Sequence, residues 1–168
     1  MPLQIVSGDI TQFQTDAIVN AANSRLARGN GVCGAIHRAA GDELEKECLR
    51  LGGCSTGDAK ITGGYHLPAK HVIHAVGPIW QGGHCNEESL LASCYRRSLQ
   101  LCEEHHLKSV AFPLISAGIY GYPKKDALRV AIQSIEETLN SFSSSLEVFL
   151  VLFDPETLRI AQDLVAIV

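Results

Sequence analysis

Short apolar runs alternate with helix-period stripes along the chain, and that alternation predicts most of its elements. Residues 3–6 alternate weakly and end at the turn signal Gly8-Asp9-Ile10-Thr11, so a first strand is expected there with Asp9 just past its end. Residues 16–20, Asp-Ala-Ile-Val-Asn, read as a buried strand that delivers Asn20 and Asn23 to a loop at its carboxyl end. A short helix is predicted over 34–41, closed by Gly41, and Asp42 is placed to cap a second one running to about Arg50, before Gly52-Gly53. Residues 59–62 and 70–76 read as strands, the second rich enough in β-branched residues to be central and stopped by Gly77-Pro78. After Asn86, in a cap position, Leu90, Leu91, Cys94, Leu101 and Cys102 recur at helical spacing, which makes both cysteines core residues. Residues 109–113 form the next strand and lead into a second glycine-bearing loop, 114–123, ending at Pro123, a residue suited to a helix start. Ala127, Leu128, Ala131, Ile132, Ile135 and Leu139 mark the buried stripe of the helix that follows, which fades into the polar run 140–145. Residues 146–153 are the last strand, and Asp154-Pro155 opens a terminal helix whose Leu158, Ala161, Leu164 and Val165 are expected to face inward.

Strands and helices thus alternate, which predicts an α/β protein: a three-layer αβα sandwich whose central sheet is mixed and largely parallel. In such sheets ligands bind in the crevice outside the carboxyl ends of the strands. Asp9 and both glycine loops fall at such ends.

Composition narrows the classes. With 168 residues and no shift in composition, one domain over 1–168 is expected, and 46% hydrophobic against 19% charged residues exclude a disordered chain. A net charge of −4 removes the electrostatic footprint expected of a duplex nucleic-acid binder, whereas a nucleotide-sized ligand held by main-chain amides needs no basic surface. The opening Met1-Pro-Leu-Gln-Ile lacks the charged start and apolar run of an export signal, and no stretch approaches membrane-spanning length, so a cytoplasmic location with no membrane partner is expected. In that compartment Cys33, Cys48, Cys54, Cys85, Cys94 and Cys102 are expected as thiols, mostly buried. His84-Cys85 and His105-His106 lack the ligand spacing of a structural zinc site and read as surface or partly buried side chains, so no metal is assigned.

The candidate chemistry concentrates in residues 19–41, where a strand end, a loop carrying Gly29-x-Gly31-x-x-Gly34 and the first turns of a helix follow one another. Such a junction presents N–H groups to an anion. The glycine spacing alone is a weak signal, because glycines also serve turns. A second loop with Gly118 and Gly121 strengthens it, since each loop can donate several N–H groups to a diphosphate. Asp9 has two readings, a turn residue or an acceptor for an exocyclic amine such as adenine N6. Phe153 likewise is either a core residue or a ring at a strand end that stacks on a base.

Several blocks, in order along nearly the whole chain, resemble the macro domain family: Val6-x-Gly8-Asp9-Ile10-Thr11, Asp16-Ala-Ile-Val-Asn-Ala-Ala-Asn23, Gly31-Val-x-Gly-Ala-Ile-His-Arg-Ala-Ala-Gly41, Leu67-Pro-Ala-Lys70 and Phe112-Pro-x-Ile-Ser-x-Gly-x-Tyr-Gly-Tyr-Pro123. The chain is most similar to the MacroD-type hydrolases, which bind ADP-ribose and remove it from esters. The resemblance implies ADP-ribose, O-acetyl-ADP-ribose and proteins ADP-ribosylated on acidic side chains as partners, with no metal or redox cofactor. It implies that Asp9 accepts the adenine amine, with the Ile10 backbone beside it and Phe153 near the base. Gly31, Val32 and the segment Ser116, Ala117, Gly118, Ile119 and Tyr120 would wrap the diphosphate, with Tyr120 shaping the pocket of the distal ribose. Asn23 would hydrogen-bond that ribose, and Asn23 and Cys33 would occupy the catalytic positions.

Cys33 departs from the pattern, because MacroD-type enzymes carry an aspartate there that orients or deprotonates the attacking water. A thiol is a weak acceptor, and at neutral pH only a few per cent of it is ionised unless the site lowers its pKa. A place just before a helix at residue 34 would favour the thiolate. Cys33 is therefore read as an inert lining residue or as a thiolate nucleophile, and the chain as a slowed hydrolase or as a non-catalytic reader of ADP-ribose.

Overall fold

Period-two alternation in the strands divides the interior into two apolar layers, one on each face of a single sheet. The computed structural model describes residues 3–166; Met1 and Pro2, on which the reading of the chain's start partly rests, and Ile167 and Val168 lie outside the described residues. The strands are β1 (Leu3–Ser7), β2 (Ala17–Ala22), β3 (Ala59–Gly63), β4 (His71–Val76), β5 (Ser109–Phe112) and β6 (Glu147–Leu152). The helices are α1 (Gly31–Ala40), α2 (Asp42–Leu51), α3 (Glu87–Glu104), α4 (Lys124–Asn140) and α5 (Pro155–Ala166). The order across the sheet is β1-β6-β5-β2-β4-β3; every neighbouring pair is parallel except β4 with β3. Val19, Ile73, Phe112 and Leu150 pack toward Leu99 of α3 and Leu128 of α4, while Ile18, Val72, Ala111 and Val151 pack toward Ile36 of α1 and Leu44 of α2. The mixed, largely parallel three-layer arrangement is the one the alternation of elements predicts.

Several boundaries differ from expectation. Helix α1 begins at Gly31, three residues before Gly34, so Cys33 lies inside its first turn. Strand β2 runs on to Ala22, which keeps Asn20 within the sheet, in register with His74 of β4. Strand β4 is interior but one place from the β3 edge, and the middle of the sheet is β5 with β2. Gly41, at φ 93, holds the cap position of α2, and Asp42 is that helix's first residue. Asn86 stands at the cap of α3 without a side-chain capping bond. Val165 is 48% exposed rather than inward, because α5 lies over β1 at the sheet edge and a narrow stripe through Ala161 covers it. Asp154 caps α5 as its Asp-Pro start suggests, accepting the Thr157 N–H at 2.7 Å.

Among the described residues no helix is long and apolar enough to cross a membrane. All six cysteines are free, and Cys85 is the exposed one.

Candidate ligand site

The carboxyl ends of β2, β4, β5 and β6 surround a crevice of about 560 Å³. Asn23 and Gly77 wall it beyond β2 and β4, residues 113–120 beyond β5, Phe153 and Asp154 beyond β6, and the first turn of α1 closes it. Of the residues the resemblance singles out, Asn23, Gly31, Val32, Cys33, Ser116, Ala117, Gly118, Ile119, Tyr120 and Phe153 all line this one space.

Two main-chain segments face each other there. In α1 the first helical bond runs from the Gly34 N–H to the Asn30 carbonyl at 3.3 Å, and Asn30 makes no side-chain cap. The N–H groups of Gly31, Val32 and Cys33 are the orphan donors of a helix N-terminus, where the macrodipole also favours an anion. Gly31 has φ 58, a left-handed conformation that lets the chain turn sharply into the helix. Opposite, Ser116 is left-handed at φ 68 and is held by its hydroxyl, which donates to the Pro78 carbonyl at 2.8 Å, and by its own carbonyl, which accepts the Tyr122 N–H at 2.9 Å. Lys124 is the one cation lining the crevice among the described residues, and it stands 3.7 Å from Asp154 Oδ2 and 3.9 Å from Glu156 Oε2. An anion in the crevice therefore meets chiefly amide dipoles.

Asn23 and Cys33 share an acceptor. Asn23 Nδ2 donates to the Ala27 carbonyl at 2.9 Å while its Oδ1 accepts the Ala27 N–H at 3.0 Å, which pins the loop and leaves the amide one further hydrogen to offer. The Cys33 thiol, only 5% exposed, lies 3.7 Å from the same carbonyl and 3.6 Å from Asn20 Nδ2. These are weak contacts around a small buried sulfur. Among the described residues lining the crevice the one carboxylate is Asp154, beyond β6, and the thiol of Cys33 is not a strong base.

Behind Cys33 lies a buried polar group of which sequence reading named Asn20, as a loop residue, but not His74 or Thr62. Asn20 Nδ2 is 3.1 Å from His74 Nδ1, and His74 Nε2 is 2.9 Å from Thr62 Oγ1 and 3.7 Å from Cys48 Sγ. With the amide nitrogen donating, His74 Nδ1 accepts and its proton sits on Nε2, facing Thr62. Burial, reinforced by His37, pushes the His74 pKa down to about 3, and burial raises the Cys48 thiol to about 11, so both are neutral near pH 7. His37, one helical turn beyond Cys33, is also buried; burial followed by the nearby Arg28 lowers its pKa, and neither ring nitrogen has a partner among the described residues. The spacing of Cys33 and His37 was the available signal, since residues four apart share a helix face.

Asp9 and Ile10 stand beside the crevice rather than in its wall, next to the β6 end, where the Gly8 N–H donates to the Leu152 carbonyl at 3.2 Å. Asp9 Oδ1 accepts from the Thr11 N–H at 3.0 Å and the Thr11 hydroxyl at 2.7 Å, capping a single 3-10 turn over Ile10–Gln12. The turn role is thus realised on Oδ1, which leaves Oδ2 for another donor. The Ile10 side chain is buried in the core. Phe153 is 86% exposed, so its ring is a surface group at the mouth and not a core residue.

The loop between β4 and α3 buttresses the crevice through Trp80, whose N–H donates to the Tyr120 carbonyl at 2.8 Å. Glu87 fastens that loop by accepting N–H groups from Gln81 at 2.8 Å, Gly83 at 3.0 Å and Cys85 at 2.6 Å. Burial pushes its carboxyl up, but the donors of Gln81, Cys85 and Gly83 outweigh that and hold it at about 2. A depressed carboxyl pKa contributes stability that is complete above the ordinary value of 4.5 and is lost as pH falls through about 2. Fluorescence of Trp80, the chain's single tryptophan, is therefore expected to change as pH falls from 4.5 toward 2, and Glu87→Gln is expected to remove that change and loosen the loop at neutral pH.

Comparison with known proteins agrees with this geometry. The family profile described as Macro domain matches residues 19–131. A macro domain-containing protein of Mesorhizobium japonicum is 52% identical over 158 residues, covering 94% of this chain and 90% of that protein. A Salmonella typhimurium protein named O-acetyl-ADP-ribose deacetylase is 48% identical over 162 residues, covering 94% and 90% of the two chains. The solved structure of a variant Oceanobacillus iheyensis macrodomain with ADPR superposes with a TM-score of 0.94 at 44% identity, covering 98% of this chain and 92% of the other.

Proposed function

The chain belongs to the macro domain family, and from that premise we propose that it binds ADP-ribose in the crevice and slowly hydrolyses ADP-ribosyl esters, releasing ADP-ribose and a carboxylic acid. The observation that carries this reading is the pair of main-chain segments, the α1 N-terminus and residues 116–120, that face each other across about 560 Å³ of crevice. Their N–H groups take the diphosphate; the adenosine lies toward Phe153 and Asp9, and the distal ribose toward Asn23 and Tyr120. O-acetyl-ADP-ribose and ADP-ribosylated acidic side chains are the substrates, in keeping with the name of the Salmonella relative.

The chemistry follows from what the floor offers. Asn23, fixed by Ala27, directs its remaining amide hydrogen at the distal ribose and orients the ester. Water attacks the ester carbonyl, with the ligand's own phosphate positioning it, because Cys33 is a poor base. The weak contacts of Cys33 equally favour a second reading, a reader that binds ADP-ribose without turnover. Incubation with O-acetyl-ADP-ribose or a glutamate-linked ADP-ribosylated protein, followed by mass spectrometry of released ADP-ribose, separates them. A rate above buffer that falls in Asn23→Ala supports the hydrolase; a rate equal to buffer leaves the reader.

Asp9→Asn tests the adenine end. Asparagine keeps an oxygen for Thr11 but turns the second acceptor into a donor facing the adenine amine. ADP-ribose affinity is expected to fall about tenfold with the melting temperature unchanged. Equal affinity by calorimetry would remove Asp9 from the site.

A further inference from the structure

A second cavity, of about 290 Å³, shares Gly77 and Tyr120 with the crevice, so the two spaces adjoin across these residues at the end assigned to the distal ribose. Its walls come from Ser24, next to Asn23, from Thr56, and from Pro78, Ile79, Cys85 and Leu90. Glu87, the one charged wall residue among the described residues, has its carboxylate taken up by main-chain N–H groups, so the walls present apolar and neutral groups. That same anchoring, with the Trp80 to Tyr120 bond, holds the partition between the cavities in place. Ile79 is 56% exposed and Ile119 77% exposed, and they adjoin this partition in sequence, Ile119 next to Tyr120 and Ile79 next to Trp80. Ile79 lines this cavity, so its open apolar side chain is offered to whatever enters it.

We propose that this cavity is the acceptor-side subsite, which takes the protein segment carrying the ADP-ribosyl ester, with an apolar residue beside the modified acidic one. The inference rests on the ADP-ribose reading above, which fixes which end of the crevice holds the distal ribose. Size favours a polypeptide over a small acyl group: an acetyl group fills roughly 60–90 Å³, two or three waters' worth, against about 290 Å³ available. Walls of apolar and neutral polar groups, with the one carboxylate taken up by main-chain N–H groups, favour an aliphatic neighbour over a charged one.

The test uses peptides bearing ADP-ribose on a glutamine side chain, an amide in place of the ester, with leucine or glycine on either side. In calorimetry the leucine-flanked peptide is expected to bind about tenfold more tightly than ADP-ribose, and the glycine-flanked one within about twofold of it. Thr56→Trp, which fills the cavity from an exposed position, and Ile79→Asp should each abolish the leucine advantage while ADP-ribose affinity stays unchanged. Equal binding of both peptides, or an advantage that survives both substitutions, overturns the subsite. Alkylation of Cys85, the exposed cysteine, gives a second readout: the leucine peptide should slow it and ADP-ribose should not, and an unslowed rate again overturns the proposal. Failure of wild-type protein to bind ADP-ribose itself is a separate outcome, which overturns the nucleotide reading beneath it.

Discussion

Cys33→Asp is expected to raise ester hydrolysis by about 10²–10⁴-fold with ADP-ribose affinity nearly unchanged, the range a positioned general base contributes. The structure offers a carboxylate a favourable place there. Position 33 lies in the first turn of α1, where N–H groups and the macrodipole stabilise negative charge, and Asn20 Nδ2 already points at the sulfur from 3.6 Å. The Ala27 carbonyl, 3.7 Å from the sulfur, opposes it, but Asn23 Nδ2 donates to that oxygen and draws off part of its charge. Initial rates on O-acetyl-ADP-ribose, with affinity measured on the same preparations, check the expectation. A variant no faster than the wild type would mean that the thiol is not what limits the reaction.

Gly77→Ala is expected to damage both the fold and the site. Built on the observed backbone, its Cβ would overlap Ser116 Oγ and lie 2.5 Å from Ile115 Cγ2. Ser116 and Ile115 are buried, so relief requires moving the 113–120 loop away from the end of β4 and breaking the Ser116 to Pro78 bond. Overpacking of this kind costs about 1–3 kcal/mol, a melting temperature lower by several degrees in a domain of this size. Because the same loop carries Gly118 and Tyr120, ADP-ribose affinity should fall with it. Thermal melts and calorimetry on the variant test both parts; an unchanged melting temperature would show that the loop yields freely.

The strands were legible because β2, β4, β5 and β6 are largely apolar runs while β1 and β3 mix apolar and polar residues, and the crevice at their ends followed from the alternation with helices. What lay outside the pattern was local or long-range geometry. Helix α1 starts early because Gly31, in a left-handed conformation, brings Val32 and Cys33 into its first turn, and no hydrophobic period encodes that. Phe153 continues the apolar run of β6 in sequence, yet pairing with β1 ends at Leu152, and the ring one residue later is released to the surface. Asn20 and His74 are 54 residues apart, and only the register of β2 on β4 sets them side by side behind Cys33. Of the motifs that resemble the family, those over 16–23, 31–41 and 112–123 supply lining of the crevice, being contiguous blocks at strand ends, whereas those over 6–11 and 67–70 do not. The second cavity joins residues 76–79 to Ser24 and Thr56 of separate loops and Leu90 of α3, and no motif announced that combination.

Binding of the nucleotide is the claim on which the hydrolysis, the role of Cys33 and the acceptor subsite all depend. Titration of the wild-type protein with ADP-ribose in a calorimeter, alongside adenosine and inorganic phosphate, tests it most directly. Saturable one-to-one binding of ADP-ribose, with both fragments far weaker, is the predicted result; no heat of binding, or binding no tighter than that of either fragment, would contradict it.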